Sequence, residues 1–261
     1  MNILIADNYE RMSDRAAEVV SAALREDPQL VLGLATGGTP EGLYQRLVRR
    51  HREGKLDFSE VTTFNLDEYV GLPPEDPNSY HHYMRENLFD HVNLPAANTH
   101  LPDGESEELQ RHCAEYENSI ADAGGIDVQV LGIGGNCHLG FNEPGTSLRS
   151  GTHVATLTRR TVRDNAAEFE NEADVPRYAV TMGLGTIMLA KRCVLLAAGE
   201  RKAEPVRRAI EGPVTSMCPA SVLQMHPSAV AILDEAAASG LERLDYYRRR
   251  ERAWDELADR L

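Results

Sequence analysis

The chain has 261 residues, enough to bury a sizeable hydrophobic core in one large domain or two small ones. Its formal net charge of -14 at pH 7 argues against a nucleic-acid partner, which would require a basic surface. A hydrophobic content of 42%, arranged in regular apolar runs, is typical of a folded protein and argues against intrinsic disorder.

The cysteine and histidine spacings argue against a metal site. The four cysteines show no Cys-x-x-Cys spacing, so neither a metal cage nor a disulfide framework is expected at Cys113, Cys137, Cys193 and Cys218. The sequence has no His-x-x-x-His or His-Glu-x-x-His spacing that would support a zinc site at His81, His82 and His91. We interpret these three histidines as surface or packing residues.

The amino terminus is a short apolar run without a basic n-region or a small-residue cleavage site. It therefore predicts a first strand and not a signal peptide. No apolar stretch reaches the length needed to span a membrane. We expect a cytoplasmic protein with no membrane partner.

Apolar runs alternate with amphipathic stretches along the whole chain. The runs predict strands at Asn2–Ala6, Leu30–Ala35, Val61–Leu66, Ile126–Leu131, His153–Leu157, Ala179–Met182, Cys193–Ala197 and Ala229–Leu233. Helical spacing predicts helices at Tyr9–Arg25, from Pro40 onward, and at Tyr80–His91, Glu105–Ala123 and Ala203–Ile210. Alternating strands and helices indicate an α/β protein, whose mostly parallel sheet is covered by helices on both faces. Without a repeat or linker, we predict one Rossmann-like domain over residues 1–261.

A glycine-rich turn follows the second predicted strand, with the sequence Thr-Gly-Gly-Thr at Thr36–Thr39. Pro40 suits the first turn of a helix, so backbone N–H groups and the helix dipole would meet an anion here. The turn predicts a phosphate site formed by Thr36, Gly37, Gly38 and Thr39. The alternative is a tight turn that only caps the helix.

Two other predicted strands also end in reactive side chains. Ile126–Leu131 leads into a glycine-rich turn that holds His138 and Glu143, which can form a proton-transfer pair if the loop folds back. Val61–Leu66 ends at Asp67, Glu68 and Tyr69, and the alternative for the two carboxylates is a solvated strand end. Ligands of open α/β sheets bind at the carboxyl ends of the strands. The three segments are therefore predicted to meet around one pocket suited to a sugar phosphate.

The sequence resembles the glucosamine-6-phosphate deaminase family, whose members are also called glucosamine-6-phosphate isomerases. The resemblance covers nearly the whole chain and is carried by Leu34–Pro40, Phe64–Leu72 and Gly140–Gly145, with shorter matches at Thr181–Thr186 and Gly199–Ala203. It implies the conversion of glucosamine 6-phosphate and water into fructose 6-phosphate and ammonia, as in N-acetylglucosamine catabolism. No metal or organic cofactor is implied.

The resemblance also implies a role for each matching residue. Asp67 would carry a proton from C2 to C1 of the opened sugar through an enol-type intermediate. His138 would move a proton between the ring oxygen and the anomeric hydroxyl, with Glu143 orienting the imidazole and Asn136 as a further polar partner. The phosphate would be bound by Gly37, Gly38, Thr39 and Lys202.

Several positions depart from the family pattern. Asn136 stands where many members have Asp, so the charge beside His138 is expected to come from Glu143, and Cys137 replaces the usual Gly. The segment 165–169 lacks the arginine that many relatives use for phosphate. We hypothesise weaker phosphate binding, or a replacement contact from Arg163.

The activator site of hexameric relatives also has a counterpart here, at Ser150–Ala155. The basic residues expected in it are absent or replaced by His153 and Ala155. We therefore predict no activation by N-acetylglucosamine 6-phosphate. The oligomeric state stays open, self-association included.

Two other functions are compatible with the same kind of fold. A 6-phosphogluconolactonase would share the phosphate loop but would need no C2 base such as Asp67. A sugar-phosphate sensor in a transcription regulator would carry a helix-turn-helix segment and a basic face, and neither is evident.

Overall fold

The computed structural model describes the backbone of residues 1–258 and the side chains of residues 1–251. Its strands are β1 (Asn2–Ala6), β2 (Val31–Leu34), β3 (Thr62–Asn65), β4 (Asp67–Tyr69), β5 (Thr99–His100), β6 (Val128–Leu131), β7 (His153–Thr156), β8 (Tyr178–Thr181), β9 (Arg192–Ala197) and β10 (Ala229–Asp234). Its α-helices are α1 (Tyr9–Glu26), α2 (Gly38–Arg52), α3 (Tyr80–Asn87), α4 (Leu109–Asp122), α5 (Arg159–Asn165), α6 (Leu184–Ile187), α7 (Ala203–Glu211), α8 (Glu235–Ala238) and α9 (Leu244–Ala258).

The main sheet has seven strands in the order β1-β10-β9-β6-β2-β3-β5, and all of its pairings are parallel. Its central strands β2 and β6 are buried along their whole length, as expected for a parallel sheet covered on both faces. Their near-continuous apolar sequences are the physical reason that the sequence located them correctly. The predicted α/β class with a mostly parallel sheet is confirmed.

A second sheet holds three strands in the antiparallel order β4-β8-β7. The sequence predicted β7 and β8 as strands but did not separate them from the main sheet, and it treated Asp67–Tyr69 as a strand end. Partly exposed residues in β7 distinguish it from the central strands, because antiparallel sheets tolerate water on one face. An apolar cluster that includes Tyr69 and Phe141 packs against this sheet.

A single residue connects the two sheets at their junction. Leu66 follows β3 directly and donates its N–H to the carbonyl of Leu34 in the main sheet, at 3.1 Å. Its own carbonyl accepts the N–H of Met182, which follows β8. The chain therefore leaves the parallel sheet at Leu66 and enters the antiparallel one at Asp67, which places Asp67 at the carboxyl edge of the main sheet.

Two predicted helices are shorter than expected. The helix predicted at Tyr80–His91 ends at Asn87 and is followed by a 3₁₀ turn at Phe89–His91. The helix predicted at Glu105–Ala123 begins at Leu109, because the Asp103 carboxylate accepts the N–H of Glu105 in a local turn. Within the described residues, no helix is both long and apolar enough to cross a membrane.

Candidate active site

A cleft of about 690 Å³ lies at the carboxyl ends of the neighbouring strands β9, β6, β2 and β3. Each of these strands is followed by a loop that lines it. Most of the predicted site residues line the cleft, namely Thr36, Gly37, Gly38, Thr39, Asp67, His138 and Lys202. Asn136 and Glu143 do not line it but lie behind His138. The convergence expected from the sequence is therefore present in the structure.

Asp67 is 4% exposed and lines the cleft at the junction of the two sheets. Burial raises the pKa of its carboxyl group well above the ordinary value, and the charge of Glu68 raises it further. The backbone at Gly140 passes close by, and a Cβ there would lie 3.2 Å from Asp67 Oδ2. Asp67 is consequently a carboxylate with enhanced basicity. A side chain at position 140 would crowd it, so the glycine there leaves room beside the carboxylate.

His138 and Glu143 lie together on the loop that follows β6. His138 Nδ1 is 3.8 Å from Glu143 Oε2, which is an ion-pair separation and too long for a hydrogen bond. Glu143 also accepts the N–H of Thr158 at 2.9 Å and the side-chain amide of Asn136 at 2.6 Å. Asn136 is thus a polar partner of Glu143, and it meets His138 only through the backbone N–H of that residue.

The environment of Glu143 keeps it ionised. Burial alone would raise its pKa, but interactions with His138, Thr161 and the Thr158 N–H outweigh burial and lower the pKa to about 2. The negative charge of Glu143 lies 3.8 Å from Nδ1 of the His138 ring. The pair can therefore accept a proton at His138 and stabilise the charge that results.

The loop that follows β6 is tightly folded around glycine. A Cβ on Gly134 would lie 2.2 Å from the ring of His138, so the imidazole packs directly on the Gly134 backbone. Cys137, with φ 74°, is the only non-glycine residue with positive φ in the part of the chain that the structure describes. The side chain that replaces the usual glycine is therefore accommodated in a left-handed conformation, and it is fully buried.

The predicted phosphate loop precedes α2. Gly37 has φ 90° at the N-cap position, and no side chain caps the helix. Gly37, Gly38 and Thr39 line the cleft and no side chain caps their amide groups, as in an anion site at a helix N-terminus. Tyr83 of α3 donates its hydroxyl to the Gly37 carbonyl at 2.8 Å and so fixes the loop from outside.

Basic side chains also line the cleft. Lys202 Nζ donates to the carbonyl of Ile133 at 2.7 Å, and burial lowers its pKa. Arg160 lies over Gly135 in an ion pair with Asp164 at 3.8 Å. Arg163 also lines the cleft, but its Nε donates to the carbonyl of Arg159. Ala167 lines the cleft in the segment where many relatives carry arginine.

Sequence reasoning missed two kinds of residue in the cleft. Tyr80 lines it and stacks on Phe141, with ring centroids 6.0 Å apart and planes at 11°. Arg160 and Arg201 join Lys202 among its cations. Tyr80 and Arg160 lie on helices without a motif, so nothing in the sequence indicates which helix face meets the cleft. Arg201 lies within the matching Gly199–Ala203 segment and could have been found there.

The fold and the cleft together define an α/β enzyme of the sugar-phosphate type. A sequence model described as glucosamine-6-phosphate isomerases/6-phosphogluconolactonase matches residues 6–232. The chain belongs to this family, on its glucosamine-6-phosphate deaminase branch.

Similar proteins support that assignment. A glucosamine-6-phosphate deaminase of Thermoanaerobacter pseudethanolicus is 51% identical over 239 residues, which are 92% of this chain and 94% of that protein. A solved structure of a monomeric glucosamine-6-phosphate deaminase matches with a TM-score of 0.90 and 44% identity, covering 92% of this chain and 100% of the other. A 6-phosphogluconolactonase from Leishmania guyanensis shares the fold, with a TM-score of 0.72 and 23% identity over 92% of this chain and 98% of its own.

Proposed function

We propose that this protein is a glucosamine-6-phosphate deaminase, formed by one domain over residues 1–261. It converts glucosamine 6-phosphate and water into fructose 6-phosphate and ammonia, as its relatives' names imply. The observation that carries the proposal is the convergence of a phosphate loop, a basic buried carboxylate and a His–Glu pair in one cleft. A lactonase hydrolyses an ester and would not require a base at C2, which is the role we propose for Asp67.

Binding begins at the phosphate. The first-turn amides of α2 and the hydroxyl of Thr39 bind its oxygens, and the Lys202 ammonium adds a positive charge. Arg160 also lines the cleft and supplies a second cation, which compensates for the arginine missing from the 165–169 segment. Arg163, the candidate from the sequence, is the alternative for this contact, but its Nε donates to the carbonyl of Arg159. The bound phosphate fixes one end of the sugar, so the other end is presented to Asp67 and His138.

Ring opening is the task of His138. The imidazole takes the proton of the anomeric hydroxyl and returns a proton to the ring oxygen as the C1–O5 bond breaks, which leaves an open-chain aldehyde. Glu143 stabilises the transient imidazolium, and Asn136 keeps the Glu143 carboxylate in place through its amide. These roles need only a neutral imidazole at the start and an ionised Glu143 throughout.

Isomerisation and deamination follow at C2. Asp67 removes the C2 proton, the electron pair forms the C1–C2 double bond of an enol-type intermediate, and the carbonyl oxygen at C1 takes up a proton from the substrate's own C2 ammonium group. The carboxyl group of Asp67 then returns its proton to C1, which leaves an iminium group at C2. Water adds to that carbon, ammonia leaves, and fructose 6-phosphate remains. Burial suits Asp67 to this task because its raised pKa makes it a stronger base.

The test is a parallel assay of two substrates. The purified protein is given glucosamine 6-phosphate, with ammonia and fructose 6-phosphate measured separately, and 6-phosphogluconolactone, with lactone hydrolysis measured. We expect equal amounts of ammonia and fructose 6-phosphate from the first and no hydrolysis of the second above background. Lactone hydrolysis without ammonia release would assign the cleft to the other branch of the family.

A further inference from the structure

The first turn of α3 is capped from two sides. Ser79 Oγ accepts the N–H of His82 at 3.1 Å, which is an ordinary side-chain cap. The Glu68 carboxylate accepts the N–H of Tyr80 at 3.1 Å and that of His81 at 3.0 Å. First-turn amides have no partner inside their own helix, so a carboxylate that accepts them also complements the positive end of the helix dipole.

Glu68 is otherwise fully engaged and shielded from water. It is 1% exposed, and it also accepts its neighbour's N–H from Tyr69 at 2.8 Å and contacts His81 Nδ1 at 2.9 Å. Successive side chains of a strand point to opposite faces. In β4 the Asp67 side chain therefore faces the cleft while the next one along, Glu68, holds α3.

The helix held in this way reaches the cleft at two points. The Tyr80 ring lines the cleft, and the Tyr83 hydroxyl donates to the Gly37 carbonyl of the phosphate loop at 2.8 Å. Residues three apart lie on one side of a helix, so both contacts are fixed by the orientation of α3 alone. A continuous set of hydrogen bonds thus runs from the strand of Asp67 through Glu68 and α3 to Gly37.

We propose that Glu68 is a positioning residue that fixes the spacing between Asp67 and the phosphate loop through α3. The proposal rests on the function proposed above, in which Asp67 must reach C2 while the phosphate stays bound before α2. Phosphate binding orients C2 only if the distance between the two points is constant. Glu68 does not line the cleft and acts only through α3 and through its charge.

The charge of Glu68 has a separate consequence for Asp67. It adds to the effect of burial in raising the pKa of Asp67. The other titratable groups packed against Asp67 are Tyr69 of its own strand, Tyr80 of α3 and Tyr116 of α4, and those that share the cleft with it are His138, Arg160, Arg163, Asp164, Glu168, Arg201 and Lys202. Burial raises the pKa of all three tyrosines, so they stay neutral through the working range, and the charge that raises the pKa of Asp67 is that of Glu68.

The test compares three single variants of the full chain in the ammonia-release assay. Glu68→Gln removes the charge and replaces an acceptor by a donor against the α3 amides. We expect kcat/KM to fall about 100-fold, as for a misplaced base, and the acid limb of its pH profile to move to lower pH because a negative charge beside Asp67 is lost. Tyr83→Phe breaks only the link to Gly37, and we expect KM to rise about fivefold with kcat and the acid limb unchanged.

Ser79→Ala is the matched control because it removes the other cap of the same helix turn without touching Glu68. We expect it to lower the melting temperature and to leave kcat/KM and the acid limb as in the wild type. If Glu68→Gln gives the same result as Ser79→Ala, Glu68 is only a helix cap and the proposal is wrong. An acid limb that stays in place in Glu68→Gln contradicts the charge effect.

Two further measurements keep the proposal testable whatever the variants do. Glu68→Asp keeps the charge with a shorter reach, and we expect lower kcat/KM with an unmoved acid limb; it replaces Glu68→Gln if that variant does not fold. Calorimetric titration with inorganic phosphate needs no turnover. If wild type releases no ammonia, phosphate binding that is about fivefold weaker in both Glu68→Gln and Tyr83→Phe, but not in Ser79→Ala, still supports the proposed link from Glu68 through α3 to the phosphate loop. Unchanged phosphate binding in all three variants refutes that link.

Discussion

Replacement of Glu143 by glutamine tests how much the ionised Glu143 carboxylate contributes to the free energy of unfolding. The structure lowers the pKa of this carboxyl group from its ordinary 4.5 to about 2. At about 1.4 kcal/mol per pH unit, the fold stabilises the ionised form by about 3 kcal/mol relative to the unfolded chain. Because the folded pKa is depressed, this stabilisation is complete above pH 4.5 and is lost as the pH falls through about 2.

The assay is urea unfolding of wild type and Glu143→Gln between pH 7 and pH 3. We expect the variant to be about 3 kcal/mol less stable at pH 7, with a difference that shrinks steadily below pH 4.5. Glu170→Gln, at an exposed position, is the matched control and should follow the wild type at every pH. A difference that stays constant with pH would mean that Gln disturbs packing and that the carboxylate charge contributes nothing.

Three other perturbations give results that the same structure predicts. Cys137→Val places a β-branched residue at positive φ in a buried turn and should lower the free energy of unfolding by about 1 to 3 kcal/mol in urea titrations, whereas a neutral result would show that the turn relaxes. Arg160→Ala should raise KM for the sugar phosphate about tenfold, and Arg163→Ala less, because the Nε of Arg163 is held by a carbonyl; the reverse order would assign the phosphate contact to Arg163. Initial rates should be hyperbolic in substrate and unchanged by N-acetylglucosamine 6-phosphate, and a sigmoidal curve that this ligand makes hyperbolic would contradict the reading of the 150–155 segment.

The parallel sheet could be predicted because its strands are buried on both faces. β2 and β6 have near-continuous apolar sequences, and the glycine turns after them predicted where the cleft lies. The predicted phosphate loop and the loop after β6 are each continuous in sequence, so each could be predicted as a unit that lines the cleft. The division into two sheets was not predicted, because the sequence of β7 gives no information about its partner and Leu66 alone makes the connection between β3 and β4.

The parts of the site that the sequence did not reveal depend on helix orientation. Tyr80 and Arg160 reach the cleft from α3 and α5, and helical spacing alone does not say which face of a helix meets a ligand. The partner of Asn136 also required coordinates, because its amide could have turned toward the His138 ring but binds Glu143. Glu68 looked like a second strand-end carboxylate, and only the turn of α3 above it distinguishes its role from that of Asp67.

The most direct test of the account is proton transfer by Asp67. Glucosamine 6-phosphate carrying deuterium at C2 is given to wild type and to Asp67→Asn, with ammonia release measured and the fructose 6-phosphate analysed for deuterium at C1. We expect wild type to release ammonia more slowly from the deuterated substrate than from the protium substrate. Part of the deuterium should appear at C1 of the fructose 6-phosphate. Asp67→Asn should bind inorganic phosphate normally and release ammonia at least about 100-fold more slowly. Ammonia release by Asp67→Asn at the wild-type rate would show that another group removes the C2 proton and would contradict the central claim.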